Sequence, residues 1–475
     1  VTALYRAGFF ARNGFAPYDA QWYSGYHTLG YSVLLGPLGA LLGVRLLACL
    51  GAVLAAACFA RLCDRPVPAA WFAIGVGVSL GASRVAFTLG LGLGLAALLA
   101  AVRRRQATAC ALAVLTGLAS PLAGAFLGLV AFAGWPDGPN RAHRLGLLAA
   151  AVLPVGILVL AFPAGGFEPF APSSFWPALG VTALVAVIAP RLRLGLALYG
   201  ACIVAAFVIH TPVGGNAVRL VVLFAGPLAA AELWPQRRLA LGLLVVPLAY
   251  LQLQAPVRDL VVGIADPSTS AAYYAPLERF LAAAPGPPFR VEVPFTREHW
   301  EAAELAPHFA IARGWERQLD VADNAIFYAP HLASAAYAAW LRTNAIAYVA
   351  LPDTQLDYSA RQEAALIEAG QDYLLPVARL AHWRIFAVRG TQPLASPPAS
   401  LTRLEATGFQ LRFAGPATSE VRLHYTAYWV SGGACVTRAP DGFTAVRALR
   451  GGLVSVSARL DLGAALSGGP ACPAR

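Results

Sequence analysis

The 475-residue chain has no methionine and no lysine; all 35 of its basic residues are arginine. Charge of either sign is scarce, at 12 % of residues, against 58 % hydrophobic residues and a mean hydropathy of +0.61. That balance excludes an ordinary soluble enzyme and points to a membrane protein. With Val1 where an initiating methionine would stand, the chain reads as a fragment. Residues 1–28 are polar and aromatic, with no charged-then-apolar signal peptide, as expected of an external loop whose preceding transmembrane helix is lost. No H-E-x-x-H or paired C-x-x-C motif occurs, and no G-x-G-x-x-G or G-x-x-x-x-G-K follows a strand-like segment, so a nucleotide site has no support. No strong apolar run follows Gln254.

The first half, by contrast, is filled with apolar segments. Those near 45–61, 69–82, 85–102, 145–162, 175–189, 194–209, 217–233 and 239–253 are rich in Leu, Ala, Val and Gly. At about 1.5 Å per residue, helices of roughly 20 residues cross a bilayer core of about 30 Å, and the shorter ones only just do so. The net charge of +11 invites a nucleic-acid reading. The arginines instead sit in short loops such as Arg103–Arg105 and Arg237-Arg238, as cytoplasmic loops do. No single basic stripe forms on a soluble surface, so nucleic acid is not expected as a partner.

The arginines also set a topology. With Arg61 and Arg65 inside, Arg103–Arg105, Arg141, Arg144, Arg191, Arg193, Arg237 and Arg238 all fall inside. This holds only if residues 107–135, broken at Ser120-Pro121, form a re-entrant or hairpin pair, which is tolerated where it is buried in protein. The N-terminal loop, the loops around Glu168 and His210, and everything after Gln254 then fall outside. The expected divisions are an external loop (1–27), a transmembrane helical domain (28–254), an extracytoplasmic α/β domain (255–395) and a small β-sandwich (400–475). Strand-like segments at 289–293, 345–351 and 383–388 alternate with helical patterns at 333–342 and 359–369. After Ser400, alternation at 409–413, 421–425, 443–447 and 453–460 suggests the sandwich. Cys49, Cys58, Cys63, Cys110 and Cys202 lie in or beside apolar spans, where cysteine packs as a small side chain. Cys435 and Cys472 fall in the external tail, where a disulfide between them is expected.

Residues 15–31 form the densest aromatic and polar cluster, with Asp19, Gln21, Trp22, Tyr23, Tyr26 and His27 ahead of an apolar run. Asp19 is a candidate general base for an acceptor hydroxyl, with Trp22 and Tyr23 as faces for a sugar ring. The alternative is an interfacial aromatic belt with Asp19 a solvated loop residue. Arg84 and Arg219 sit at outer helix ends, against the inside bias. Each is a candidate phosphate ligand or an arginine snorkelling to headgroups. His210 and Asn216 are candidates to orient the same group. Glu168 is a candidate second acid or metal ligand, although a divalent cation would want more oxygen ligands than one Asp and one Glu supply. Asp266, Glu298, His299, Glu301 and Glu304 read as a solvated helix face.

The stretches YDAQWYSGYHTLGYSVLLGPLGALLG (18–43), ASPLAGAFLGL (119–129), GGNAVRLVVLFAGPLAAA (214–231) and NAIAYVALPDTQLD (344–357) resemble those of bacterial GT-C-type polytopic membrane glycosyltransferases. The resemblance implies a polyprenyl-phosphate-linked sugar as donor and an extracytoplasmic glycan, lipid or protein as acceptor, at the plasma membrane. Asp19 then matches the first-loop acid, and Arg84 or Arg219 would hold the donor phosphate. One departure is that many members carry two acids in that loop and this chain has one. The other readings are a membrane transporter, which would show repeats and mid-membrane polar groups, and a non-catalytic envelope scaffold or glycan-binding protein.

Overall fold

The computed structural model describes residues 1–463 except 83, 136, 137, 139, 164 and 462. The chain divides into two units: a helical one of residues 31–160 and 165–262, and a second of residues 1–30, 161–163 and from 263 onward.

Six helices among the described residues of the chain are long and apolar enough to cross a membrane: Val44–Cys63, Val85–Val102, Arg141–Ala161, Pro190–Val208, Gly214–Leu233 and Arg238–Ala265. Pro66–Ala82, Gln106–Ala119, Pro121–Ala133 and Pro172–Ile188 are apolar but shorter. Local chemistry sets the ends. Val44–Cys63 stops at a left-handed Asp64, and Pro66 occupies the first turn of the next helix. The break at Ser120-Pro121 is real: Ser120 Oγ accepts from Ala123 N (3.4 Å), and Pro121 opens the following helix. The two short legs pack side by side, since a Cβ on Gly124 would come within 2.9 Å of Gly117 Cα. The last helix departs from expectation. Pro256 does not end it, and Val257, Leu260, Val261 and Ile264 carry an exposed apolar surface on to Ala265.

Small residues let these helices touch. A Cβ on Gly92 would lie 2.8 Å from the Gly51 carbonyl, so Val44–Cys63 and Val85–Val102 meet backbone to backbone. One polar clamp crosses the bundle. Buried Gln252 accepts from Trp71 Nε1 (2.8 Å) and donates to the Leu223 carbonyl (3.3 Å), joining three helices.

Among its described residues the second unit contains fourteen strands. These are β1 (Tyr18–Asp19), β2 (Tyr26–His27), β3 (Arg290–Glu292), β4 (Ala310–Ile311), β5 (Ile346–Pro352), β6 (Leu374–Leu380), β7 (Trp383–Val388), β8 (Ser400–Glu405), β9 (Gly408–Phe413), β10 (Ala417–His424), β11 (Trp429–Ser431), β12 (Ala434–Arg438), β13 (Phe443–Ala448) and β14 (Gly452–Ala458). A mixed sheet runs β4-β3-β5-β7-β6, parallel from β4 to β5 and antiparallel beyond. The sheets β10-β13-β12 and β11-β14-β9-β8 make the C-terminal β-sandwich. The architecture is therefore an α-helical membrane region followed by an α/β layer and a small sandwich.

Residues 1–30 are not a free loop. They form helix Thr2–Asn13 and the β1–β2 ribbon, and they pack into the core of this second unit. The reason is an amphipathic pattern: Tyr5, Arg6 and Phe9 are buried while Leu4, Arg12 and Phe15 stay exposed. Nor are His299 and Glu301 solvated. Both are buried, with His299 stacked on Trp315 at 3.4 Å. Asp266 is also buried, accepting from Ser268 N (2.9 Å) and Ser268 Oγ (2.7 Å).

At the carboxyl ends of β3 and β4 the core is ionic. Arg313 lies between the rings of Phe295 (3.9 Å) and Phe327 (4.0 Å). It donates to Asp320 (2.6 and 3.0 Å) and Glu363 (3.4 Å), with Glu292 at 3.8 Å. One guanidinium thus faces three fully buried carboxyl groups, a charge imbalance that burial does not tolerate. Glu292 has no donor of its own, so a proton shared with Glu363 supplies the missing hydrogen bond. Burial pushes Glu292 well up, with Glu363 adding to it, and pushes Glu363 up to about 7 despite Arg313.

Two outcomes are expected. Gln252→Leu strands the Trp71 N–H and should cost about 1–3 kcal/mol, read as a lower unfolding midpoint in detergent. Protonation of the pair stabilises the fold fully below the unfolded glutamate pKa, about 4.3, and this contribution begins to fade as pH rises through about 7, where Glu363 ionises. Glu292, held well up, keeps the shared proton to higher pH. Glu292→Gln should flatten that slope and raise the midpoint at pH 8, at about 2–4 °C per kcal/mol; an unchanged pH profile would rule the shared proton out.

Candidate functional site

In the helical unit, four of the residues singled out in the sequence come together. Arg84 immediately precedes helix Val85–Val102, and Arg219 follows the short turn Gly214–Val218 at the start of helix Arg219–Leu233. The two guanidiniums are within electrostatic reach of each other, and Glu168 and Tyr31 act on both. Asp259 also acts on Arg84. Arg219 donates to the Asn216 side-chain oxygen and lies over the Phe87 ring, 5.3 Å from its centre. Asn216 is therefore a holder of Arg219, and Nε of the same guanidinium is left without a partner.

Backbone packing fixes this corner. Glu168 N donates to the Thr211 carbonyl (3.1 Å). Gly214 has φ +38°, and a Cβ there would sit 1.8 Å from the Glu168 carbonyl oxygen. Tyr199 OH donates to the Ala217 carbonyl (2.6 Å) and accepts from Val221 N (3.1 Å), which pins the turn carrying Asn216. His210 is exposed and packs edge-on against Phe167 at 4.4 Å.

Phe87 also lines a cavity of about 220 Å³ inside the helical unit. Its wall is almost wholly apolar, with Leu91, Leu95, Phe126, Val221 and Phe224 along its length. The cavity runs along one helix from Phe87 to Leu98 and along another from Leu220 to Leu228. Eleven residues of helix span roughly 16 Å. The far end is bounded by Ala133, Trp135, Leu192 and Gly195. Phe87 and Tyr199 escaped sequence reasoning because each looks like one more aromatic in an apolar run. The alternating glycines of Gly90-Leu91-Gly92-Leu93-Gly94 were the available signal of a helix thinned for close contact.

In the second unit, Asp19 is fully buried on β1. Its carboxylate accepts from Tyr5 OH (2.6 Å) and from Gln21 N (2.9 Å). Burial pushes it up to about 6, against the pull of those donors and of nearby Arg6. Arg6 itself donates to Glu316 and to the Thr28 carbonyl.

The aromatic neighbours are core, which corrects their expected role as sugar-stacking faces. Trp22 is 0 % exposed, sandwiched between Tyr5 (4.3 Å) and Tyr26 (5.5 Å), with its Nε1 donating to the Ala302 carbonyl (3.1 Å). Tyr23 is 1 % exposed and its hydroxyl donates to the Gly314 carbonyl. Both have a polar edge spent on backbone and no free face, because helix Thr2–Asn13 and residues 302–316 close over them. His27 is half-buried against Tyr18, Phe162 and Tyr428 and bonds Thr426 (3.0 Å). Burial lowers it to about 4, so it is neutral at physiological pH.

Among the described residues no group of three His, Cys, Asp or Glu side chains could hold a metal ion. Cys435 is buried on β12 and disulfide-bonded, while Cys472 lies outside the described residues. The letters G-x-S-x-G do occur once, at 77–81, but inside an apolar helical segment. Ser79 Oγ there donates to the Val76 carbonyl (2.7 Å), with no strand before it and no histidine partner.

No protein-family model matches the sequence, and no curated protein matches it. Two solved structures are similar, both of the arabinofuranosyltransferase AftD from mycobacteria, in two classes of one mutant form. One covers 83 % of this chain at 17 % identity with a TM-score of 0.44, and the other 97 % at 12 % with 0.43. This chain spans 40 % and 57 % of the length of those chains. At such scores the likeness decides nothing about chemistry, which rests on the residues themselves.

Asp19→Asn should keep the fold, because an amide can accept from Gln21 N and donate to Tyr5 oxygen. The carboxyl is stabilising when protonated, so its contribution is present below about 4 and lost as pH rises through about 6. The variant should gain on the order of 1 kcal/mol at pH 8 and lose the slope between pH 4 and 6. A midpoint that falls at every pH would contradict this account of Asp19.

Proposed function

We propose that this chain is an integral membrane glycosyltransferase of the GT-C type. It moves a sugar from a polyprenyl-phosphate donor to an extracytoplasmic glycan or lipid acceptor at the plasma membrane, with the residues after 263 outside. The observation that carries the reading is Arg219 resting on Phe87, the ring that also lines the apolar cavity. A cation at the rim of an apolar cavity fits an amphiphile with an anionic head and a hydrocarbon tail. Arg84 and Arg219 would bind the donor phosphate through charge-assisted bonds, Asn216 would hold Arg219 in place, and Glu168 would limit the net charge of the pocket. His210, exposed at the neighbouring loop, is the further candidate for contact with the sugar.

In the reaction, the acceptor hydroxyl oxygen bonds to the anomeric carbon as the bond from that carbon to phosphate oxygen breaks. Polyprenyl phosphate leaves with the electron pair, and the two guanidiniums meet its growing charge. The hydroxyl proton goes to a base, which the sequence resemblance assigns to Asp19. A carboxyl pushed up to about 6 is well matched to accept a proton near neutral pH. Tyr5 and Gln21 occupy its oxygens in this structure, so the assignment requires Tyr5 to yield its hydrogen bond in the loaded enzyme. The disulfide at Cys435 fits an external location for the sandwich. The enclosure of Asp19 also favours a second reading, a non-catalytic binder of lipid-linked sugars.

The test is transfer from radiolabelled polyprenyl-phosphoryl sugars by the full chain in lipid nanodiscs. Arg219→Ala should lower kcat/KM about 100-fold, as loss of a charged contact to a developing anion does, with Arg219→Lys between it and the parent. Asp19→Asn should abolish turnover while donor binding persists. Donor binding without any transfer would select the non-catalytic reading; absence of donor binding would remove both.

A further inference from the structure

We propose that the apolar cavity measures the donor's lipid, admitting about the first three or four isoprene units, and that Gly195 keeps its far end open. The inference rests on the donor reading above and adds to it a chain-length limit and a residue that sets it. The cationic end of the cavity is defined by Phe87 and Leu220, beside Arg219, and the opposite end by Leu98, Trp135 and Gly195. The distance between these ends along helix Val85–Val102 is roughly 16 Å. An isoprene unit contributes four chain bonds of about 1.5 Å each, so it advances roughly 4–5 Å when extended. Three or four units therefore fill the cavity when the phosphate lies at the arginine end, and any further chain must turn out into the bilayer.

Gly195 is singled out by what its missing side chain would meet. A Cβ there would make an ordinary contact with Ala133 at 3.5 Å, and both residues line the far end. A methyl is thus accommodated, whereas a larger side chain on this lining residue would take up space at the far end. Gly90 and Gly94 also line the wall but differ. At Gly90 a Cβ would lie 2.8 Å from Ala123 and 2.9 Å from Ser120, which forces helices apart, while at Gly94 it would make an ordinary contact with Thr116 at 3.4 Å, short of the far end. The Tyr199 hydroxyl does not interrupt the path, since it is bound to Ala217 and Val221.

The experiment uses polyprenyl phosphates carrying a diazirine on the last isoprene, photolysed with the full chain in nanodiscs and mapped by mass spectrometry. A two-isoprene phosphate should label the middle of the cavity, around Leu91, Leu95 and Phe224. A four-isoprene phosphate should label Leu98, Trp135 or Leu192. Gly195→Leu should reduce the far-end label from the four-isoprene probe at least tenfold and leave the two-isoprene label unchanged, while Gly195→Ala should behave as the parent. The probe series on the unaltered chain stands by itself if Gly195→Leu does not fold. Identical labelling by both probes, or far-end labelling that survives Gly195→Leu, overturns the length limit while leaving the donor site standing. Absence of cavity labelling by every phosphate, with label only on the lipid-facing surface, overturns the donor site as well.

Discussion

A buried guanidinium must recover from protein what it loses in hydration, and this chain meets that requirement repeatedly with aromatic faces and fixed acceptors. Arg313 lies between two phenylalanines and Arg317 beside Trp315 and Tyr358, and Arg219 lies over Phe87. With no lysine available, every side-chain cation is a planar, delocalised one that stacks and forks. Where acceptors match the cation, as in the Arg317–Asp357 pair at 2.7 and 3.0 Å, the site is a closed structural unit. Where they do not, something else must balance the charge. At Arg313 there are too many carboxyl groups and a proton fills the gap. At Arg84 and Arg219 two cations stand near one another, with Glu168 in reach of both and Asp259 of one, and the donor phosphate is the further anion proposed for them.

The same logic separates the two candidate sites. Asp19 is saturated by donors from its own unit and fully buried there. Arg219 is held at Nη2 and by its face, with Nε open. The first is a closed carboxyl whose donors must yield before it can act, and the second keeps an open donor for the anion proposed above. The apolar cavity below Phe87 then makes sense of the helix that lines it, whose glycines remove side-chain bulk from surfaces that either touch another helix or border empty space.

Much of this architecture was legible in the sequence, for physical reasons that also explain the misses. Apolar length located the spans, and β7 was placed at its actual bounds because Trp383–Val388 reads as a short, mostly apolar buried strand. The Ser120-Pro121 break was visible because proline forbids the continuing hydrogen bond. Strand β6 was missed because Pro376 and Arg379 obscure its alternation, and β4 because two residues make no pattern. The helix through Pro256 was cut short because proline was given too much weight against the apolar stripe beyond it. Charged residues at 298–301 looked solvated because sequence carries no sign of the aromatic neighbours that bury them. Arg84 and Arg219 stood out because the expected topology puts both at outer helix ends, against the arginine bias, but that Asn216 and Glu168 lie beside them was not legible from spacing alone. Nor were Trp22 and Tyr23 legible as core, since a stacking platform and a core aromatic have the same letters.

The first thirty residues reach far along the chain for their partners. Arg6 meets Glu316, Trp22 meets Ala302 and Tyr18 OH donates to the His424 carbonyl at 2.7 Å. These contacts close loops of about 300 to 400 residues, a very large sequence separation for any fold. During synthesis this helix and ribbon emerge before the helical unit, yet the surface that completes them is made after it. They must wait, unsheltered, while the whole helical unit is inserted. A ribosome that stalls before residue 300 therefore leaves an aromatic, tyrosine- and tryptophan-rich segment without its counterpart, a natural mark by which quality control can tell an unfinished chain from a finished one.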